Sequence, residues 1–364
     1  MRRYAAWADR VADLQARGRR RQLRTLTPTG PVTGELDGRE VVVACSNDYL
    51  GLAWREEVRA AATGGGSGAS RLIAGDRPVH HQLEDAVEAW LGRPATLFTS
   101  GYHANLGLLG AILGRDSRVA SDALNHASII DGLRLSRAQR LVVPHAAPDQ
   151  IPADVDAVVV EGLYSMDGDV PDLGGYPGAR GEGPLLIVDE AHAIGCLGPD
   201  GQGAAAAQDL VPDVRIGTFG KALGAHGAFV EGPPELRELL VNAARTFIFT
   251  TGPAEPVAAM ALAGLTLMRR EPELRERLAA NARRLRSGLA DLGWEVLGEA
   301  HIVPVVVGPD VMALDARLQD AGIFAAGIRP PTVPAGTERI RFTVSAAHTD
   351  DQLDRILDVL GPRR

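Results

Sequence analysis

Leu185-Leu186-Ile187-Val188-Asp189-Glu190-Ala191-His192 is the stretch on which the reading of this chain turns. Four consecutive apolar residues leave no polar face, which fits a strand buried between two helix layers. The run ends abruptly in two acids and a histidine. A second run ends at Thr218-Phe219-Gly220-Lys221, and a third breaks into Ser100-Gly101-Tyr102-His103-Ala104-Asn105, where a strand turns into a helix. Open α/β sheets bind their ligands at the carboxyl ends of strands, so the three segments are expected to face one crevice.

Outward from these runs, short apolar segments alternate with helical ones. Strands are predicted at Val41–Cys45, Thr96–Thr99, Arg118–Ser121, Leu141–Val143, Ala157–Glu161, Leu185–Asp189, Arg215–Phe219 and Ala228–Val230. This order predicts an α/β fold with a mostly parallel sheet between helices. The first 35 or so residues read as a helix and a loop, with Ala6, Val11 and Leu14 as its apolar positions and Pro28, Gly30, Pro31 and Gly34 as breakers. From Pro256 to Leu292 the pattern reads as one long helix, with Gly293 just beyond it. Strands near Ile302–Val307 and Arg339–Val344 follow. In the second, Ile340, Phe342 and Val344 alternate with Arg339, Arg341 and Thr343, the pattern of a half-buried strand. The expected division is an N-terminal helical arm over 1–40, a large α/β domain over 41–252, and a long helix with a small C-terminal α+β domain over 253–364.

Composition narrows the classes. The 364 residues are 45% hydrophobic and 4% aromatic, enough for a sizeable core with a smaller appended domain. A net charge of −8 and a pI near 5.6 argue against general nucleic-acid binding. Cys45 and Cys196 stand outside any C-x-x-C pattern and point to a reduced compartment. No run approaches a membrane span, and no apolar segment follows the Arg-rich start as in a secretory signal. A cytoplasmic protein without membrane or nucleic-acid partners is expected.

The residue types have a common chemistry. A lysine in a partly dry pocket loses its proton readily and can form a Schiff base. An aspartate at the base of that pocket can hold a pyridinium nitrogen protonated. At a separation of about 4 Å such a pair is worth roughly 4 kcal/mol at an effective dielectric of 20. The helix opened by Gly101 and Tyr102 offers free N–H groups to a phosphate. Taken singly, each segment has a plainer reading. Asp-Glu-Ala-His is an ordinary strand end as readily as a site, and its helicase association lacks a G-x-x-x-x-G-K-[ST] loop here. Gly-Lys alone is a solvated turn, and Gly64–Gly68 reads equally as a linker. His126 suits an interior histidine, Arg329 a braced turn between Ile328 and Pro330, and Ser165 a turn cap.

As an ordered set, the chain resembles the α-oxoamine synthases, fold-type-I pyridoxal-phosphate (PLP) enzymes. The likeness runs from Ser46-Asn47-Asp48-Tyr49-Leu50-Gly51-Leu52 through Gly66-Ser67-Gly68-Ala69-Ser70-Arg71, Asn125-His126-Ala127-Ser128 and Glu161-Gly162-Leu163-Tyr164-Ser165-Met166-Asp167-Gly168 to Ile328-Arg329-Pro330-Pro331-Thr332-Val333-Pro334. The Arg-Pro-Pro-Thr form resembles the members that condense L-alanine with a pimeloyl thioester in biotin synthesis rather than their glycine-using relatives. The resemblance implies that Lys221 holds the cofactor covalently and moves the α-proton. It also implies that Asp189 pairs with the ring nitrogen, His192 lies near the ring hydroxyl, and His126 stacks on the ring with a part in acyl transfer. Ser165, Thr218 and the backbone of Gly101 and Tyr102 complete the cofactor site. Asn47, Arg329 and Thr332 serve the substrate, Arg329 at its α-carboxylate and Thr332 beside the acyl chain. Thr251 reaches the phosphate of a partner subunit, which makes the expected assembly a homodimer across its active sites. No metal is implied. The thioester is pimeloyl-CoA or a pimeloyl carrier protein, and Arg24 is the expected cation for its distal carboxylate. Arg24 belongs to a run with Arg17, Arg19, Arg20 and Arg21, otherwise a solvated basic face or an attraction for the acidic carrier. Departures from the family pattern at Glu190, Ala193 and Ile194 and at Ala222 and Leu223 are expected to reshape the acyl pocket. A glycine C-acetyltransferase-like member, an aminotransferase and a catalytically silent PLP-fold protein stand as alternatives.

Overall fold

A computed structural model describes residues 4–363. Its centre is a seven-stranded sheet in the order Ala95–Phe98, Ala228–Glu231, Val214–Thr218, Leu185–Asp189, Ala157–Glu161, Arg118–Asp122, Gln139–Val143. Five neighbours from Val214–Thr218 outward pair in parallel, and Ala228–Glu231 alone runs against both of its neighbours. Successive side chains of the inner strands serve two different cores. Val158, Val160, Leu186 and Val188 pack with Leu83, Val87 and Trp90 from helix Pro78–Leu91 and Ala258 and Leu265 from helix Glu255–Arg270. Val159, Ile187 and Ile216 pack with Leu108, Leu109, Ile129 and Leu133 from helices Gly101–Ile112 and Ala127–Ser136. Helices on both faces are why these strands are apolar throughout.

Several readings of the sequence change or are sharpened. The segment predicted at Val41–Cys45 forms as Arg39–Val43 but lies outside the central sheet. It pairs antiparallel with Thr33–Leu36 and parallel with Ile323–Phe324, where Ile323 meets Val42. The expected N-terminal loop contains the hairpin Leu26–Pro28 with Thr33–Leu36, hidden by the prolines and glycines that build its turn. Helix Ala5–Ala16 forms, yet it buries none of its residues, so Ala6, Val11 and Leu14 are exposed. The long helix from Pro256 is two, Glu255–Arg270 and Glu273–Asp291, because Pro272 forces Glu271 out of helical geometry (φ −118°, ψ 73°).

The C-terminal sheet orders Ile302–Val306, Arg339–Thr343 and Ala326–Ile328, all antiparallel. Ile340, Phe342 and Val344 join Leu285, Leu289, Leu318, Leu353 and Ile356 in a separate core. Strand Arg339–Thr343 was expected to be half-buried and is buried along its whole length. Its polar side is not solvated. It docks on the loop after central strand Ala157–Glu161, with Arg339 on Asp167 at 2.5 Å and Arg341 on the Ser165 carbonyl, and on the segment after Arg39–Val43, with Thr343 on the Ser46 carbonyl at 2.7 Å. Among the described residues no helix is long and apolar enough to cross a membrane.

Candidate active site

The three segments singled out in the sequence meet in one cavity of about 200 Å³ at the carboxyl ends of the central strands. Ser100 caps helix Gly101–Ile112 by accepting from the His103 N–H at 3.2 Å, which leaves Gly101 and Tyr102 in the first turn on the cavity wall. One turn on, Asn105 Nδ2 donates to Asp189 Oδ2 at 2.7 Å and to Ser128 Oγ at 3.0 Å. The other oxygen of Asp189 accepts from the Ala191 N–H at 3.0 Å. Asp189 is thus a buried carboxylate aimed into the cavity and held by two neutral donors, with no basic side chain bonded to it.

His126 caps helix Ala127–Ser136, its Nδ1 lying 2.7 Å from Ser128 Oγ, and its backbone N–H donates to Glu161 Oε1 at 2.6 Å. Burial, opposed by Asp189 and reinforced by Lys221, lowers the His126 pKa, so the imidazole is neutral. His192 is also neutral. Burial carries its pKa well below the ordinary value, and Tyr49 Oη lies 2.6 Å from Nδ1. Lys221 follows a tight turn in which Thr218 Oγ donates to the Gly227 carbonyl at 2.9 Å and accepts from the Gly220 N–H at 3.1 Å. Burial lowers the Lys221 pKa from 10.5 to about 8, against the attraction of Asp189 and Glu161. Lys221 is also the single lysine of the sequence; every other long basic side chain is arginine. Arginine stays protonated and cannot form an imine, so only this position supplies a nucleophilic side-chain amine.

The structure brings Gly101, Tyr102, His126, Asp189, His192, Thr218 and Lys221 together. The remaining expected residues lie elsewhere. Asn47 stands one step back, its Oδ1 accepting from Tyr49 Oη at 3.1 Å. Ser165 is half-buried in the loop under Arg341, and Thr251 is exposed beside Gly252. Arg329 and Thr332 line a second cavity of about 240 Å³ together with Arg19, Arg21 and Met312. Arg24 is not part of that lining. Its guanidinium is bound to Asp37 at 2.6 Å and to Gln319, above the Phe324 ring. The run from Arg17 to Arg24 is not helical: the chain leaves helix at Arg17 and becomes a strand at Leu26.

Glu161, Asn105 and Ser128 also line the cavity; the sequence placed them within its motifs but gave them no role. Asn105 carried a readable signal, since it follows Gly101 by about one helical turn. Glu161 carried its place at a strand end and at the head of the Glu161–Gly168 motif. Burial and the Asp189 charge raise its pKa well above the carboxylate range. The expectation that Glu190 and its neighbours reshape the acyl pocket is not met in this cavity. Glu190 turns away and accepts from the Ala204 and Ala205 N–H groups at 2.8 Å each. Gly203, at φ +106°, makes room for it: a Cβ there would stand 2.7 Å from the Glu190 carboxyl carbon. Ala193, Ile194, Ala222 and Leu223 are packed in the core.

The profile of the aminotransferase class I and II family matches residues 39–360. An 8-amino-7-oxononanoate synthase from Anaeromyxobacter sp. (strain K) is 48% identical over 370 residues, covering 96% of this chain and 92% of that protein. This chain belongs to the 8-amino-7-oxononanoate synthase family. Serine palmitoyltransferase from S. paucimobilis, solved with a bound PLP–myriocin aldimine, superposes with a TM-score of 0.91 at 29% identity, over 98% of this chain and 96% of that one. The 8-amino-7-oxononanoate synthase of Francisella tularensis shares the fold at a TM-score of 0.77 and 24% identity, over 88% and 96% of the two chains. The family's fold-type-I architecture is the one described above, with the cavity at the strand ends of its central sheet.

Proposed function

We propose that this chain catalyses the PLP-dependent condensation of L-alanine with a pimeloyl thioester, releasing carbon dioxide and thiol and yielding 8-amino-7-oxononanoate for biotin synthesis. The observation that carries the reading is the shared cavity: a depressed-pKa lysine amine, a buried carboxylate with no cationic side chain bonded to it, and two neutral imidazoles. The donor set fits PLP. Asp189 has its two oxygens bound only by neutral donors, so its charge is free to pair with a pyridinium nitrogen.

When bound, PLP supplies an aldehyde for covalent capture of amines and a cationic ring that withdraws the electron pair released at the amino acid's α-carbon. Lys221 is the amine that would hold the aldehyde and, freed from it, the base that moves the α-proton. Asp189 would keep the ring nitrogen charged, His126 would lie against the ring face, and His192 would meet the ring hydroxyl. The N–H groups of Gly101 and Tyr102 would receive the phosphate, and Thr218 and Ser165 would complete the cofactor site. Thr251, exposed in one protomer, would reach the phosphate of a partner in a homodimer.

Arg329 would bind the alanine carboxylate, with Asn47 and Thr332 on the substrate side. The distal carboxylate of the pimeloyl chain needs a cation, and we assign it to Arg21, which shares the lining of Arg329 and Thr332, in place of Arg24, whose charge Asp37 occupies. The protein works in the cytoplasm, where thioesters of this kind are kept. The test is purified protein with PLP, alanine or glycine, and pimeloyl-CoA, pimeloyl carrier protein or acetyl-CoA, with products identified by mass. Amino ketone from alanine and a pimeloyl thioester is expected. Product only from glycine and acetyl-CoA, or no product at all, overturns the reading.

A further inference from the structure

Beside the cavity stands an ionic group that the proposed reaction does not use. His145 Nδ1 lies 3.0 and 3.1 Å from the two carboxylate oxygens of Asp122, and Nε2 lies 2.9 Å from Asp169 Oδ2. Ionised carboxylates only accept hydrogen bonds. Both ring nitrogens must therefore carry hydrogen, and His145 is an imidazolium on geometry alone. Its ring meets the Tyr164 ring edge-on, with centroids 4.4 Å apart and an interplanar angle of 79°.

The two carboxylates belong to different working parts. Asp122 ends strand Arg118–Asp122 and shapes the turn that presents His126. Its Oδ1 accepts from the Leu124 N–H at 2.8 Å, its Oδ2 from the Ala146 N–H at 3.0 Å, and its carbonyl from the Asn125 N–H at 3.2 Å. Asp169 closes the loop after strand Ala157–Glu161, its carbonyl accepting from the Tyr164 N–H at 3.0 Å. The same loop receives Arg339 on Asp167 and Arg341 on the Ser165 carbonyl, so it seats the C-terminal sheet. That sheet's edge strand Ala326–Ile328 leads directly into Arg329.

We propose that His145 is a positioning residue: its imidazolium locks the turn carrying His126 to the loop that docks the sheet carrying Arg329. This rests on the reading above, in which His126 meets the cofactor ring and Arg329 the substrate carboxylate. The groups that face His145 are Asp122, Asp169 and the Tyr164 ring. The Tyr176 phenol and Glu161 lie in the electrostatic reach of the same carboxylates, and Asp172 acts on that phenol as well. Without the imidazolium, two anions would stand across the joint with nothing between them.

The test uses PLP-reconstituted protein and begins with the side-chain 15N resonances of His145. At about pH 8, where an unperturbed imidazole is neutral, both nitrogens are expected to be protonated. A singly protonated ring at that pH overturns the proposal. The second arm is His145→Gln, in which cofactor stoichiometry is retained. The visible circular dichroism of the bound cofactor is expected to change, and kcat to fall about tenfold or more, as small misplacements of reacting groups do. An unchanged dichroic band with unchanged kcat overturns it as well. Should His145→Gln not fold, Asp169→Asn, at a partly exposed site outside the cavity lining, is expected to lower the His145 pKa and alter the same band; constancy of both refutes the lock. A chain that takes up no PLP refutes the functional reading instead, and the 15N result still decides the charge on His145.

Discussion

The lysine amine can be tested in isolation, because the sequence contains one lysine. Burial lowers its pKa from 10.5 to about 8, while Asp189 and Glu161 pull upward and Arg341 adds to the lowering. A shift of roughly 2.5 units corresponds to about 3 kcal/mol between the two protonation states. At pH 7 about one chain in ten would carry the neutral amine, against about one in three thousand for an unperturbed lysine, a gain of roughly 300-fold in nucleophile. The stability consequence has a definite sign. Between the folded pKa near 8 and the unfolded value of 10.5 the unfolded chain binds the extra proton, so stability rises with pH across that window. Below it both states are protonated, and the folded state bears a buried charge. Reductive dimethylation of the PLP-free protein with 13C-formaldehyde gives one side-chain signal, resolved from the α-amino group, whose chemical shift is followed against pH. A midpoint near 8 is expected, and Asp189→Asn should move it lower by removing the first attracting charge. A midpoint at 10 or above would mean a solvated amine and would refute the reasoning.

Arg21→Ala is expected to raise KM for the pimeloyl thioester about tenfold or more, the worth of a charge-assisted bond to a carboxylate, with KM for alanine little changed. Arg24→Ala should leave both constants near wild type, and the opposite ranking in steady-state assays returns the role to Arg24. Glu190→Asp withdraws the carboxylate from the Ala204 and Ala205 N–H groups and should cost about 1–3 kcal/mol in urea unfolding, with the spectrum of the bound cofactor unaltered. Arg71→Met strips the buried Glu84 of its closest cation, at 2.5 Å, leaving Arg237 and the Leu97 N–H; a loss of about 3 kcal/mol is expected, read as a lowered Tm.

The central sheet was legible because its cause is local. A strand covered on both faces must be apolar at every position, and Leu185 to Val188 and Ala157 to Val160 show that directly in one dimension. The polar residues that end such strands were legible for the same reason, since chain direction in a parallel sheet places all of those ends on one side. What escaped the reading depends on partners distant in sequence. Val41–Val43 within strand Arg39–Val43 is as apolar as an inner strand, yet which sheet it joins is decided by Ile323 and Phe324, whose two-residue strand has no pattern of its own. Glu161 differs from an ordinary strand-end acid only through its burial beside Asp189. Arg21 and Arg24 are three residues apart in one basic run. Only the presence of Asp37, at the tip of the hairpin between Thr33–Leu36 and Arg39–Val43, separates the two.

Strand Arg339–Thr343 shows how one sequence pattern can carry two meanings. Alternation fixes which side chains point together, and Ile340 and Phe342 did mark the core side. It does not say what lies on the other side, and the usual answer for an antiparallel sheet is water. Here the answer is the rim of the cavity. Arg339, Arg341 and Thr343 are each satisfied by a group at the carboxyl end of the central sheet or the strand preceding it: Asp167, the Ser165 carbonyl and the Ser46 carbonyl. Two buried arginines without those partners would be strongly destabilising, so the polar face tolerates one seating of the sheet and penalises displacement from it. The side chains that look like a solvated face are therefore what sets the distance between Arg329, carried by the sheet, and Lys221, carried by the central strands. The position of Arg329 follows from a docking interface that is polar rather than oily, because hydrogen bonds are directional and apolar contact is not.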